Sequence, residues 1–137
     1  MKDEADPPLD GIHHVRVPVS DIAVSREWYP DVLGFVPILD YEEEDRVVGV
    51  ALAHGSGVTI GIHLDPPRAR ALAGFCVLAL EVPGQEALAA WVDHLDAKAV
   101  AHSGVREGHL GLYVEVLDPD GIVLQLHTAE HPSADEA

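Results

Sequence analysis

The chain has 137 residues, with 8 basic against 24 acidic side chains, a formal net charge of -16 and a pI near 4.6. That length suits one domain able to bury a core without staples. A field of that sign repels phosphate backbones and anionic lipid, which argues against nucleic acid and membrane partners, and no apolar run approaches the ~20 residues of a membrane span. The single cysteine, Cys76, has no intramolecular disulfide partner, and the acidic amino terminus with Pro7 and Pro8 is unlike a secretory signal. A cytoplasmic protein is expected, with loose ends over residues 1–10 and an acidic tail over 129–137.

In chain order, strict alternation sets Val15, Val17 and Val19 on one face of a first strand and His14, Arg16 and Pro18 on the other. Ser20 or Asp21 caps a following helix that carries Trp28 and Tyr29, and Pro30 argues against a long regular helix there. Gly34 suits the helix end. A strand over 36–39, an acidic hairpin tip over 41–45 and a strand over 47–54 follow. Val58 to Leu64 alternates again, with His63 on its polar face. Pro66 to Ala73 reads as a linker.

The second half begins with a strand over 75–82 and a helix from about Gly84 to Ala97, whose core stripe includes Leu88, Trp91, Val92 and Leu95. A short strand over 99–102, a polar turn over 103–108 and a strand over 110–116 are predicted next. Asp118, Pro119, Asp120 and Gly121 make a tight turn into a final strand over 122–127. Shifting the first strand and helix by about 63 residues lands on the second with its apolar beat and tryptophan in register. The chain therefore reads as a duplicated βαβββ unit, with modules over 11–65 and 74–128, and the matched positions of Trp28 and Trp91 mark them as core.

These marks resemble the vicinal oxygen chelate superfamily, which contains glyoxalase I, extradiol dioxygenases, fosfomycin-resistance enzymes and bleomycin-binding proteins. They are His14, Val15 and Val19 leading to Asp21; Ser25, Trp28 and Tyr29 before Leu33, Gly34 and Phe35; and the turn 118–121 before Leu124, Gln125 and Leu126. The resemblance implies an α+β fold in which two βαβββ modules curl into a cup with helices outside, commonly as a homodimer, with a small-molecule ligand inside the cup.

In metal-using relatives a divalent ion is held by the first and last strands of each half. The resemblance places His14 and His63 at two ligand positions and Gln125 at a third, for Zn, Ni, Mn or Fe. The second half departs from the pattern: the mate of His14 is Val77, and Gln125 stands where glutamate is frequent. Glu115 is a candidate catalytic base or carboxylate ligand. Arg16, Tyr113 and His127 are candidate substrate-binding residues; the Arg16 guanidinium suits a carboxylate or phosphate, or else pairs with Glu115 or another acid. Two functions follow. The leading one is a metal-dependent lyase, isomerase or dioxygenase acting on adjacent oxygens; the alternative is a metal-free protein that binds an antibiotic or metabolite.

Overall fold

The computed structural model describes residues 6–129. Its elements are β1 (Val15–Val19), α1 (Ile22–Trp28) continued by a π-helical turn (Tyr29–Leu33), β2 (Val36–Glu43), β3 (Arg46–Ala53), β4 (Thr59–Leu64), α2 (Pro66–Ala71), β5 (Cys76–Val82), α3 (Gln85–Ala97), β6 (His102–Gly108), β7 (Gly111–Leu117) and β8 (Val123–Thr128). Residues 6–14 form no helix or strand. Residues 1–5, and the expected tail beyond Ala129, lie outside the described residues.

The strands form two separate four-stranded mixed sheets, ordered β1-β4-β3-β2 and β5-β8-β7-β6, and neither closes on itself. In each, the strand before the helix runs parallel to the last strand of its half, and the remaining pairs are antiparallel. Alternation decides which side is covered. Val17, Val19, Val50, Leu52, Ile60 and Ile62 of the first sheet and Val82, Val114, Val116, Leu124 and Leu126 of the second join a single core with Leu88 and Leu95 of α3. Trp28 and Trp91 are half-buried against that core, as their matched positions predicted.

Pro30 ends the regular helix as expected. It has no N–H to continue the α ladder, so the chain widens into the π-helical turn and closes on Gly34, at φ 78°, whose N–H donates to the Pro30 carbonyl. Two stretches differ from the prediction. The expected linker contains α2, because Asp65 accepts the Arg68 N–H at 3.2 Å and the prolines fall in the first turn, where no N–H is needed. The strand expected over 99–102 starts only at His102, and the expected turn over 103–108 is strand β6. A bulge between His102 and Val105, with Gly104 at φ 71°, lets Ser103 Oγ accept the Glu115 N–H at 2.9 Å.

The two halves are joined by polar contacts around the turn at Asp118. Tyr29, fully buried, donates its hydroxyl to Asp118 Oδ2 at 3.1 Å, while Asp118 Oδ1 accepts the N–H groups of Asp120 at 2.8 Å and Ile122 at 3.0 Å. Asp120 accepts from both the N–H and the hydroxyl of Ser20. His94 Nε2 donates to the Val32 carbonyl at 2.8 Å, and Lys98 pairs with Asp31 at 2.7 Å. Burial lifts Asp118 above the ordinary carboxylate range against the pull of these donors, and burial beside Asp118 raises the Tyr29 hydroxyl well above its ordinary value.

Because the folded Asp118 is the weaker acid, its contribution to stability is full below the unfolded pKa and is lost as pH rises through the folded one. An asparagine side chain in its place would still accept both N–H groups and cannot ionise. We expect D118N to gain in melting temperature relative to the parent as pH rises from the ordinary carboxylate range, then to run level with it. Y29F should cost about 1–2 kcal/mol, and D118A, which strands three donors, about 3 kcal/mol. Urea unfolding across pH measures all three; a parent and Y29F of equal stability would show that this contact does not hold the halves together.

Candidate functional site

On the sides turned away from the core, Arg16, Leu39 and Tyr41 of the first sheet and Ala79 and Glu81 of the second are exposed, while Pro18 and Gly49 are buried. On the first sheet the cross-strand register sets Arg16, Gly61, Ala51 and Leu39 in one row, and Pro18, His63, Gly49 and Tyr41 in the next. His14 stands just ahead of β1 and leans over Gly61, where a β-carbon would lie 3.6 Å from its Cδ2. The Tyr41 ring covers Gly49 in the same way, at 3.4 Å. Gly49, Ala51 and Gly61 are thus side-chain-poor positions, the two glycines lying under the Tyr41 and His14 rings, with Arg16 and His63 beside them.

The second sheet carries larger side chains where the first carries small ones. Ala79, Gln125 and Glu115 share one row; Glu81, His127, Tyr113 and Arg106 share the next. Tyr113 and His127 stack with ring centroids 5.7 Å apart at 16°, and Arg106 pairs with Glu115 at 3.5 Å. A side chain at Gly108 would press on the Tyr113 ring, at 2.9 Å from its Cε1.

The nominated residues therefore fall into two groups. His14, Arg16 and His63 share the open face of the first sheet, and Glu115, Gln125, Tyr113 and His127 share that of the second. Glu115 takes Arg106 as its partner, not Arg16, and among the described residues Arg16 enters no ion pair. Ladder position also makes His127, rather than Gln125, the counterpart of His63. Each pairs with the penultimate residue of the parallel strand beside it, Pro18 for His63 and Glu81 for His127. Sequence reasoning missed Gly49, Gly61, Tyr41 and Arg106. Their signal is cross-strand register, which a single strand's alternation does not carry.

A divalent metal, which the resemblance implies, can be tested against these donors. His14 and His63 lie four residues apart by register, about 13 Å along the strands, with the His14 ring leaning only as far as Gly61. Arg16 stands in the row that the His14 ring reaches, one row from His63. A guanidinium there opposes a second cation by like charge, and it already lowers the proton affinity of His63. His14 Nδ1 is engaged with His13 Nδ1 at 2.9 Å. Among the described residues no three His, Cys, Asp or Glu side chains are grouped to hold a metal ion. The described donors of one chain are not grouped as a three-ligand centre.

A model of the Glyoxalase/Bleomycin resistance protein/Dioxygenase superfamily matches residues 11–126. No curated protein matches the chain. Among solved structures, the chain is similar to a glyoxylase/bleomycin resistance protein/dioxygenase domain from Frankia sp. EAN1pec, with 20% identity, a TM-score of 0.74 and coverage of 89% of this chain and 99% of that one. It is similar to TnmS3, an antibiotic binding protein from Streptomyces sp. CB03234, with 20% identity, a TM-score of 0.73 and coverage of 90% and 99%. The fosfomycin resistance protein FosX from Listeria monocytogenes aligns with 15% identity, a TM-score of 0.71 and coverage of 94% and 98%. At these identities the likeness establishes a shared fold.

Desolvation, and next the Arg16 charge, lower the pKa of His63 below the ordinary imidazole value. We expect NMR titration to find it the weaker base, and R16Q to move its midpoint upward. An unchanged midpoint in R16Q would separate the two side chains electrostatically.

Proposed function

The chain belongs to the Glyoxalase/Bleomycin resistance protein/Dioxygenase superfamily, and from that premise we propose that it binds a small organic molecule on its open sheet faces without a resident three-ligand metal centre. One observation carries this reading: Arg16 stands in the row that the His14 ring leans over and one row from His63, so a cationic side chain shares the face of the two histidines that a metal would need. Such a face suits ligand contact through ring edges, a cation and exposed backbone, and it spares the desolvation of an added dication beside Arg16. The stacked Tyr113 and His127 of the second sheet supply flat apolar surface for the same purpose.

A second reading is favoured by His63, whose Nδ1 is buried with no hydrogen-bond partner among the described residues. A neutral imidazole with an unused ring nitrogen is the ligating form. In a homodimer, His63 of one subunit with Gln125 or Glu115 of a second copy would give a metal-dependent lyase or dioxygenase.

Metal analysis of protein purified without chelator separates the two. We expect substoichiometric Zn, Ni, Mn and Fe, a melting temperature unchanged by chelator, and stabilisation by at least one organic compound in a thermal-shift screen. Stoichiometric metal that disappears in H63A would overturn the metal-free reading in favour of the second.

A further inference from the structure

Of the described cations, Arg26, Arg68, Lys98 and Arg106 are each held by a carboxylate, from Asp40, Asp65, Asp31 and Glu115 respectively. Arg16, Arg46 and Arg70 are not, although the chain carries a net charge of -16. Arg46 sits at the acidic hairpin tip, in register with Glu43, and Arg70 is exposed on the short helix α2. Arg16 alone of the three stands on an open sheet face among small residues. It shares the row of Gly61 and Ala51, so the sheet surface beside it carries one β-carbon in two residues. Asp65, the acid nearest in sequence to His63, is turned to Arg68 at 2.7 Å and leaves Arg16 unneutralised.

Each neighbour in this row bears on the kind of group that fits. The guanidinium offers a planar fork of N–H donors, which matches two oxygens of one oxyanion better than a single carbonyl. Gly61 lets the His14 ring lie close to the sheet beside Arg16, where it would meet such a group. His14 leans in from one side, and His63 lies one row away on the other, both able to donate from a ring nitrogen. No described acid occupies the rows of Arg16 or His63 on this sheet; Glu42, paired with Val47, stands in the row beyond Gly49.

Resting on the ligand-binding reading above, and naming the chemistry of what is bound, we propose that this face is an oxyanion subsite: Arg16 grips a carboxylate or phosphate-type group of the ligand over Ala51, beside the His14 ring that covers Gly61 and one row from His63. The ligand is thus an anion, or a larger molecule with an anionic end, drawn to a local positive site inside a negative field. The field slows its encounter, so the selectivity comes from the fork and not from long-range attraction.

The test uses the full chain and two simple probes, inorganic phosphate and acetate, followed through the amide resonances of Arg16, Gly49 and Gly61 at constant ionic strength, with chloride as reference. We expect saturable shifts with at least one oxyanion and none with chloride; the tighter of the two identifies the group. R16A should weaken that binding about tenfold or more, the loss of a charge-assisted paired contact, and R16K should fall between. G61L, which crowds the row beside Arg16 while leaving Arg16 in place, should abolish it with the fold retained in the remaining amide spectrum. Equal shifts in R16A, or none beyond chloride in the parent, overturn the subsite. A screened compound that binds R16A as tightly as the parent would also overturn it and leave the ligand-binding reading standing. Oxyanion shifts that depend on Arg16, alongside a screen that finds no organic ligand, would uphold the subsite and count against that reading.

Discussion

The structure depends on one buried carboxylate. Asp118 is 5% exposed and gathers three donors at once, two from the backbone of its own turn and one from Tyr29 in the other half of the chain. The backbone bonds fix the turn that feeds β8, and the tyrosine bond fixes where that turn sits against the π-helical turn after α1. An isolated buried carboxylate would be costly; this one is tolerated because its lone pairs are used. Tyr29 reaches it from the start of the π-helical turn, and its ring is held edge-on between Trp28 at 4.9 Å and Phe35 at 6.1 Å.

Joining the halves through this seam has a consequence for function. The helix-covered sides of both sheets are used up in a common core, and the opposite sides remain for contact with other molecules. The side chains on those sides stand in rows fixed by strand register. Strand register is a stiff device: a slip of one residue would turn Arg16 and His63 into the core and bring Val17 and Ile62 out. The burial of those two aliphatic side chains therefore holds the polar ones in place.

Much of this was legible in the sequence, and for identifiable reasons. Alternation in 15–19 and 58–64 assigned the faces of β1 and β4, Pro30 and Gly34 bounded the first helix, and the turn 118–121 fell where proline and glycine dihedrals put it. The stretch 66–73 misled because two prolines usually break a helix, and here they begin one behind Asp65. The stretch 103–108 misled because its bulge and small residues hide the period of two. At the site, the faces of His14, Arg16, His63, Glu115 and Gln125 follow from alternation, whereas their partners do not. Arg106 lies in the expected turn, so its claim on Glu115 is invisible in the sequence, and Arg16 stands there as an alternative partner for that acid.

The duplication sharpens what the two halves do differently. Matching ladder positions oppose Gly61 to Gln125, Gly49 to Tyr113 and Ala51 to Glu115, so the first sheet has small residues at the places where the second has large polar ones. A repeat that served packing alone would be under no pressure to differ on the uncovered side, and its covered sides are indeed alike in their valines, leucines and isoleucines. The divergence lies on the sides turned away from the core. Glycine in a strand interior weakens it by lost side-chain packing and added backbone entropy. Gly49 and Gly61 accept that weakening in the middle of β3 and β4, and the rings of Tyr41 and His14 cover the gaps. A strand can carry such glycines when another group must come close to its backbone, and on this face those groups are the two rings, that of His14 lying in the row of the unpaired Arg16.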